Sequence, residues 1–470
     1  MSAKQNVVKQ LIDRLGENKV LTDIDTLKER RHDYWVLSQL EDIQGDETPN
    51  PCCVVQPKTV EDVVAVVNTC RVNKTPLVPF GLGSGVCGGV KVSDQTVLLD
   101  MALMNRTKEI NVDNLTATFE AGVRGTDAEE IVSKRGLTIG HFPQSIDVST
   151  VGGWVATRSS GQFSSAYGSI EDILFGLEAV LPDGSILKTP LTPRSSTGPD
   201  LKNLFIGSEG TLGVITAVSF SLRWRPEKQA YSAFYAPGME EGFIFQRHII
   251  QSGWTPPVMR QYDVTEVKRL FPEHVNGDKS IILLVHEGPS SKVDAEKEAC
   301  DEIASDLTCE KAQEDAVKKW MDERNHVPTF EEFLTQGIIL DTIEIAATWE
   351  KIGGIYHNVI RSLNEVENML NASAHSSHCY RSGINLYFTF AAMPSDPKDM
   401  NQVYLDCWNR TLEETVKGGG GISHHHGIGR IRQNWMNKEL GESGVSILQS
   451  VKRTLDPDNI MNPGVLLPDN

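Results

Sequence analysis

Apolar residues near the start of the chain follow the spacing of a helix. Five of them recur close to every 3.6 residues: Val7, Val8, Leu11, Ile12 and Leu15. Next come an extended CVVQP, a helix that begins near Thr59 and a short strand TPLVPF. Thr59 is followed three positions later by Asp62, a pattern similar to a helix-capping box. This order predicts a β-α-β unit after an N-terminal helical segment.

Glycine content divides the rest of the chain. From Gly81 to about Leu222, glycine and other small residues separate short β-branched runs such as QTVLLD, ATFEAGV and GVITAVSFSL. After Pro226 glycine thins, and long amphipathic stretches such as 294–307 and 349–370 appear. The last fifty residues return to glycine and histidine. We therefore predict four segments: residues 1–45, 46–225, 226–420 and 421–470.

Composition excludes several classes of function. The chain has 470 residues, with 45 lysines and arginines against 63 aspartates and glutamates, a net charge of −18. Such a surface repels phosphates, so we expect neither nucleic-acid binding nor polybasic membrane anchoring. No apolar stretch approaches the about 20 residues that span a bilayer, and no leader is recognisable, so we expect a cytoplasmic protein. The eight cysteines form no C-x-x-C pair, which argues against a zinc ribbon or a disulfide scaffold.

Three glycine-rich loops carry the first candidate chemistry. The loop PFGLGSGVCGG follows a predicted strand, and its backbone N–H groups can cradle a pyrophosphate. Its spacing is neither G-x-G-x-x-G nor that of a P-loop, and a plain tight turn is the alternative. Two further loops, 141–161 and 207–216, combine hydroxyl groups with glycine. Donors spread over three loops favour a long ligand with pyrophosphate and ring segments.

These loops resemble the FAD-binding domain of the vanillyl-alcohol-oxidase or PCMH type, as do the PDG near Pro182, the Tyr167-Gly168 step and the ending LDPDNIMNPG. The resemblance covers nearly the whole chain. It implies an α+β fold: an FAD-binding domain of two α+β subdomains, a substrate or cap domain of antiparallel sheet with helices, and a C-terminal segment that returns to the FAD domain. It places these residues around FAD: Pro79, Gly81, Leu82, Gly83, Ser84, Gly85, Val86, Pro143, Ser145, Thr150, Gly152, Gly153, Ala156, Ser159, Gly161, Tyr167, Glu209, Gly210, Gly213 and Ile215.

The first loop also bears on how FAD is attached. Some members of this family bind flavin covalently through a histidine in the loop or through a cysteine. No histidine lies between Pro79 and Val90, so we expect non-covalent FAD. Cys87 is then interpreted as a small loop residue rather than a flavin thiol.

Three adjacent histidines, His424, His425 and His426, stand in the sequence SHHHGIGRIR. Imidazoles have an ordinary pKa near neutrality, which suits proton transfer. Relatives that oxidise 2-hydroxyacids have a glutamate where this chain has His425, together with a G-D-G-N motif that this chain lacks. The triplet, the STVGGWVATRSSG loop, the run from Ser196 and the pair Glu344 and Trp349 resemble instead the alkylglycerone-phosphate synthase family.

That family performs no net redox reaction. The resemblance implies exchange of the acyl chain of acyl-dihydroxyacetone phosphate for a fatty alcohol through an adduct at flavin N5. It implies that the histidine triplet removes and returns a proton at substrate C1 and that Tyr387 manages the proton of the oxygen. Arg260 matches an active-site arginine, and Arg324 and His141 are assigned to substrate binding.

Alternatives stay open at this point. The same cofactor motifs suit an FAD-linked oxidase or dehydrogenase of a 2-hydroxyacid or polyol, or a flavin-binding protein without activity. His375 and His378 can join the triplet around a metal, but no carboxylate or thiolate motif accompanies them, so we predict no metal. A peripheral membrane contact to collect lipid chains and a homodimer are left open.

Overall fold

The computed structural model describes residues 2–45 and 48–468. Its α-helices are α1 (Ala3–Leu15), α2 (Ile24–Glu29), α3 (Val36–Gln44), α4 (Val60–Asn73), α5 (Gly125–Ser133), α6 (Val151–Thr157), α7 (Ser164–Tyr167), α8 (Ile170–Ile173), α9 (Lys202–Phe205), α10 (Met239–Gln251), α11 (Val264–Leu270), α12 (Ser290–Asp306), α13 (Asp315–Glu323), α14 (Glu331–Thr335), α15 (Trp349–Asn364), α16 (Met400–Lys417) and α17 (Met436–Leu455). Short 3-10 helices are Glu17–Lys19, Met101–Leu103, Ile146–Val148, Pro272–His274, Pro397–Asp399 and Gln433–Trp435.

Strands form four sheets in the described chain. They are β1 (Val20–Leu21), β2 (Cys53–Val55), β3 (Leu77–Phe80), β4 (Val97–Asp100), β5 (Thr107–Asn111), β6 (Thr116–Glu120), β7 (Leu137–Thr138), β8 (Leu174–Val180), β9 (Ile186–Lys188), β10 (Val214–Ser221), β11 (Arg223–Trp224), β12 (Lys228–Ala236), β13 (Val258–Tyr262), β14 (Ser280–Gly288), β15 (Glu310–Lys311), β16 (Ile339–Thr348), β17 (Met369–Ser376), β18 (Cys379–Tyr380) and β19 (Gly383–Ala392).

The first sheet has the strand order β1-β2-β4-β3, with β4 parallel to both of its neighbours. The helix between β2 and β3 is α4, which begins at the predicted capping box of Thr59 and Asp62. Its buried valines pack in the core beneath the sheet. The predicted helical segment 1–45 also contributes β1, which pairs with β2. A two-residue strand gives too short a pattern to be read from sequence.

The second sheet is antiparallel, with the order β5-β6-β10-β8-β9. Helix α6 packs on it at Gly152, where a Cβ atom would lie 2.6 Å from Cβ of Ala121. Only glycine permits this close approach. The approach brings the loop that precedes α6 over the centre of the sheet.

The cap domain contains an antiparallel sheet with the order β15-β12-β14-β13-β17-β19-β16, and β18 also pairs with β19. Helices α10, α12, α15 and α16 pack against it over a core of aliphatic and aromatic residues. Pairing register puts Tyr262 opposite His375, His375 opposite Tyr387, and Tyr387 opposite Glu344. Directly opposed residues point to the same face of a sheet, so these four side chains form one row.

The C-terminal segment returns to the first sheet. The backbone N–H of Leu77 donates to the Ile460 carbonyl at 2.8 Å, and the side chain of Asn462 donates to the carbonyls of Gly89 and Glu209. Helix α17 bends at Gly441, whose φ is +68°. Near the N-terminus, Trp35 packs on Gly88. Segments close to both ends of the chain therefore contact the glycine-rich loop that follows β3.

Two further features bear on the predictions. All eight cysteines are buried and free. Among the described residues, no helix is both long enough and apolar enough to cross a membrane.

Candidate active site

The loop after β3 is built to hold an anionic group. Between residues 82 and 87, no backbone N–H donates a hydrogen bond to any other described residue. These residues are half-buried or exposed, except Cys87, and both Val86 and Cys87 pack against the core of the cap. A run of unsatisfied N–H groups that face an open crevice is a cradle for a pyrophosphate, so the loop fits FAD.

The other predicted FAD residues lie on neighbouring loops, on helices α6 and α7 and on strand β10. Ser145, Gly153, Ala156, Ser159 and Tyr167 are half-buried. A second group is buried and supports the loops from behind: Pro143, Thr150, Gly152, Gly161, Glu209, Gly210, Gly213 and Ile215. The Tyr167 hydroxyl donates to Glu287 of the cap at 2.6 Å, so this residue also joins the two domains.

Glu209 connects the third loop to the C-terminal segment. It has a left-handed backbone, with φ +49°, and its carboxylate accepts the backbone N–H groups of Ile428 and Gly429. Burial, with a smaller contribution from the nearby Asp33, raises the pKa of Glu209 to about 7. Asp33 also has its pKa raised by burial to about 7. Two buried carboxyl groups therefore lie behind the cradle.

The backbone of the histidine triplet is held by Glu344. The Glu344 carboxylate accepts the backbone N–H groups of His424, His425 and His426 and the hydroxyl of Ser423. Burial opposes ionisation of Glu344, but Arg432 and the histidines lower its pKa below the usual value. One ionised carboxylate thus fixes the whole turn.

The side chains of the triplet reach two tyrosines. The Tyr387 hydroxyl lies 2.5 Å from Nε2 of His425, and the Tyr380 hydroxyl lies 2.6 Å from Nε2 of His424. The Nδ1 atoms of His424 and His425 lie 2.7 Å apart, so a proton lies between them. The four groups Tyr387, His425, His424 and Tyr380 form a continuous hydrogen-bonded chain that ends in two phenols.

The protonation states differ from the sequence expectation of near-neutral imidazoles. Burial lowers the pKa of His424 and of His426 to about 4, and it lowers the pKa of His425 well below its usual value. Burial raises the pKa of Tyr387 above its usual value. At pH 7 the triplet is therefore neutral and can accept protons, while Tyr387 keeps its own.

The two predicted arginines lie on the cap side of the crevice. Nε of Arg260 donates to the Tyr262 hydroxyl at 2.9 Å, and its guanidinium lies over the ring of Trp320. Arg324 donates to Oε1 of Gln162 at 2.6 Å and lies over two phenylalanine rings of the FAD domain. Arg260 is therefore in the row of the active-site sheet, whereas Arg324 lies at the domain boundary.

His141 is enclosed within the FAD domain. It has no exposed surface, its Nε2 lies 2.9 Å from the Ser159 hydroxyl, and its ring packs on Trp154. Burial lowers the pKa of His141 to about 3. In this arrangement His141 supports Ser159. Of the two residues, only Ser159 keeps exposed surface.

Three imidazoles are close enough to share an ion. Nitrogen atoms of His378, His424 and His425 lie within 4.8 Å of one another. The same imidazoles are already hydrogen bonded: His378 Nε2 lies 2.9 Å from the Gly161 carbonyl, and the other two bond each other and the tyrosines. An ion would have to displace these bonds, and the prediction of no metal stays a prediction.

Sequence reasoning missed several groups of this site. Arg432, Tyr380 and Glu266 were not singled out, and Glu344 was noted only as part of a motif. Arg432 has no exposed surface and donates to Glu344, to the Gly427 carbonyl and to Cys87. Its position three residues after the GIG turn is the one signal in the sequence that could have found it.

Comparison with known proteins identifies the family. Residues 51–190 match the model of the FAD binding domain, and residues 225–466 match the model of the C-terminal domain of FAD linked oxidases. The chain belongs to the FAD-linked oxidase family. The protein is therefore an FAD-dependent enzyme of the vanillyl-alcohol-oxidase or PCMH type, and the predicted cofactor FAD is confirmed.

Two relatives in this family are similar over most of the chain. The "Uncharacterized FAD-linked oxidoreductase YgcU" of Escherichia coli (strain K12) is 33% identical over 98% of this chain and 98% of its own length. The alkyldihydroxyacetonephosphate synthase of Trypanosoma brucei brucei is 31% identical over 89% of this chain and 73% of its own.

A solved structure confirms the predicted fold class. An alkyldihydroxyacetonephosphate synthase structure superposes with a TM-score of 0.80 at 24% identity, over 98% of this chain and 84% of that one. At 24% identity, this similarity shows the fold alone. The relatives thus include one named as an FAD-linked oxidoreductase and one named as an alkyldihydroxyacetonephosphate synthase.

Proposed function

We propose that the enzyme exchanges the acyl group of an acyl-dihydroxyacetone phosphate for a fatty alcohol, with non-covalent FAD as its cofactor. The observation that carries the proposal is the 2.5 Å hydrogen bond between the Tyr387 hydroxyl and Nε2 of His425. It joins a phenol to a neutral imidazole at the face of the cap sheet that looks onto the FAD loops. The Trypanosoma relative named as an alkyldihydroxyacetonephosphate synthase supports the same reaction.

The exchange needs proton transfers but no net change in oxidation state. A proton leaves substrate C1 and returns, the alcohol loses its hydroxyl proton, and the fatty acid departs with the ester oxygen. When bound, FAD supplies the ring system at which the substrate carbon reacts. His425 accepts and returns the C1 proton, and Tyr387 passes a proton to and from the substrate oxygen.

A phosphate group on the substrate needs a fixed cation. Arg260 uses Nε to bond Tyr262, and its two terminal nitrogens have no hydrogen-bond partner among the described residues. Neither of them is one of the buried nitrogens that lack a partner, so both keep some exposed surface. A planar guanidinium with two free donors suits bidentate recognition of a phosphate. We assign the substrate phosphate to Arg260, with Arg324 as a second cation at the domain boundary.

The second candidate is an FAD-linked oxidase or dehydrogenase of a 2-hydroxyacid or polyol. The E. coli relative at 33% identity, which is named as an FAD-linked oxidoreductase, favours it. The neutral imidazoles that accept a C1 proton can equally accept the hydroxyl proton of such a substrate. In either case we propose that the enzyme works in the cytoplasm, and for the lipid reaction it contacts a membrane only to collect acyl and alkyl chains.

The test uses the purified FAD-loaded enzyme. It is incubated with palmitoyl-dihydroxyacetone phosphate and hexadecanol labelled with oxygen-18, and the products are analysed by mass spectrometry. Ether product that retains the label is the expected result. No ether, combined with bleaching of the flavin by a hydroxyacid or polyol under anaerobic conditions, selects the second candidate.

Two variants test the assigned roles. We expect His425→Ala and Tyr387→Phe to lose about 100-fold or more of the turnover while they retain the flavin absorbance. Tyr34→Phe is the matched control, because Tyr34 donates to Pro328 on the surface, far along the chain from the triplet. Unchanged turnover in both active-site variants would remove these roles.

A further inference from the structure

A second imidazole stands beside Tyr387, on the strand opposite to Glu344. His375 on β17 is directly opposite Tyr387 on β19, and their rings are stacked with centroids 4.7 Å apart and an angle of 10°. On its other face, His375 stacks on Tyr262 at 5.2 Å. Two aromatic neighbours therefore fix the plane of this imidazole.

A buried carboxylate fixes its tautomer. Nδ1 of His375 lies 3.1 Å from Oε2 of Glu266, which has no exposed surface. The other oxygen of Glu266 accepts from the hydroxyls of Thr389 and Ser373 at 2.8 and 3.2 Å. Burial opposes ionisation of Glu266, but His375 and Arg269 lower its pKa to about 2. An ionised carboxylate only accepts hydrogen bonds, so Nδ1 carries the hydrogen and Nε2 carries the lone pair.

The Nε2 atom keeps some exposed surface. It forms no hydrogen bond with any described residue, and it is not one of the buried nitrogens that lack a partner. The side chain as a whole keeps 13% of its surface exposed. An oriented imidazole with a free lone pair at the crevice has the arrangement of a general base held by a carboxylate.

We propose that His375 is a further catalytic base of this site and that Glu266 is its positioning residue, with the hydroxyl group of the incoming alcohol as the group that His375 deprotonates. The proposal rests on the proposed function and assigns its separate proton transfers to different residues. Nε2 takes the proton as the O–H bond breaks and the alcohol oxygen bonds to the substrate carbon. The C1 proton is handled by His425, and the proton of the substrate oxygen is handled by Tyr387. The bond between C1 and the acyl oxygen breaks with its electron pair going to the fatty carboxylate, and the proton held by His375 passes to that carboxylate, so the products are the ether and the fatty acid.

The charges around His375 decide its response to pH. Glu266 favours the imidazolium, Arg260 and Arg269 oppose it, and burial lowers the pKa of His375 below its usual value. Asp263, on the loop before α11, accepts the backbone N–H of Ala374 and carries a pKa raised by burial to about 6. The flanking Tyr262 and Tyr387 have pKa values raised by burial and are neutral.

The first experiment reads the imidazole without any turnover. Protein with nitrogen-15 histidine is compared with His375→Gln by NMR, which assigns the His375 signals. At pH 7 we expect hydrogen on Nδ1 and none on Nε2, and we expect Glu266→Gln to weaken this preference. Hydrogen on Nε2, or a doubly protonated ring at pH 7, overturns the proposal.

The second experiment measures ether synthesis. We expect His375→Ala to lose about 100-fold in kcat and to recover at least tenfold when imidazole is added. His357→Ala is the matched control, since this surface histidine is 61% exposed and pairs with Glu240. In Glu266→Gln we expect the acid limb of kcat/KM to move to lower pH, because removal of the carboxylate lowers the pKa of His375. Loss of activity without rescue and without a shifted limb means a structural role and overturns the proposal. If the wild type makes no ether, the proposed function fails, and the NMR result still tests whether Glu266 fixes the tautomer of His375.

Discussion

The guanidinium of Arg432 lies 3.0 Å from Oε1 of Glu344, and neither side chain has any exposed surface. The same guanidinium lies 4.9 Å from the ring of Trp408, within the core of the cap. Because Glu344 also holds three backbone N–H groups of the histidine triplet, this ion pair determines where the imidazoles stand. The shape of the active site depends on a charge pair that never meets solvent.

We therefore expect a variant without Arg432 to unfold at a lower urea concentration than the wild type. Loss of one member of a buried pair leaves the other charge uncompensated, and we expect Arg432→Met to cost about 3–5 kcal/mol of unfolding free energy. Arg410→Met is the control, because Arg410 pairs with the 63% exposed Glu365 and should change the stability by less than about 1 kcal/mol. Equal shifts of the urea midpoint in both variants would contradict the buried pair as an anchor.

The low pKa values of the triplet predict activity at acid pH. His424 and His426 have pKa values lowered by burial to about 4, so both stay neutral at pH 5.5, where an exposed imidazole is mostly protonated. We expect initial rates to stay within about twofold between pH 7 and pH 5.5 and to fall as the pH approaches 4. A rate that halves near pH 6.5 would show that the triplet titrates as exposed histidines do.

The buried carboxyl of Glu209 predicts that the stability of the folded protein falls as the pH rises towards 7. Its folded pKa of about 7 lies above the usual value of 4.5, so the folded state binds more protons between these values. This contribution to the unfolding free energy is fully present below pH 4.5 and is lost as the pH rises through 7. We expect Glu209→Gln to gain stability relative to the wild type by up to about 1.4 kcal/mol per pH unit between pH 5 and 7. Urea unfolding of both proteins from pH 5 to pH 7 measures this difference, and a difference that stays constant over this range would contradict the raised pKa of Glu209.

Substitution at Gly88 should weaken FAD binding. A Cβ atom at this position would lie 2.5 Å from the ring of Trp35, and φ is +74°. We expect Gly88→Ala to displace the cradle of residues 82–87 and to raise the Kd for FAD at least tenfold, measured by flavin fluorescence. Gly253→Ala separates the two causes, since Gly253 has φ +95° and open space around it. If Gly253→Ala weakens FAD binding equally, general strain rather than the Trp35 contact is responsible.

FAD should leave the denatured protein completely. Cys87 is 3% exposed, and burial raises the pKa of its thiol well above the usual value, so no reactive thiolate faces the crevice. We expect acid precipitation to release all of the yellow cofactor, and we expect Cys87→Ser to bind FAD as the wild type does. Flavin fluorescence that stays with the protein band on a denaturing gel would contradict non-covalent binding.

Local patterns predicted the fold well, and contacts between distant residues explain what was missed. The capping box at Thr59 and the strand before the first loop depend on neighbouring residues, so the sequence reveals them. The contact of Glu266 with His375 joins residues 109 positions apart, and no periodicity indicates it. The same holds for Glu344 and Arg432. The pKa values were missed for a related reason: burial sets them, and burial arises only when the cap closes over the FAD domain.

The anchoring of the first loop by Asn462 has a consequence for the synthesis of the enzyme. Its side chain bonds the Gly89 carbonyl across 373 residues of sequence, and the whole cap lies between the two. Domains usually begin to fold from the N-terminal side while the ribosome is still translating. Here the loop gains this support only after the cap has been made. We therefore expect cofactor incorporation to follow translation of nearly the whole chain, so a nascent chain that ends within the cap should bind FAD poorly.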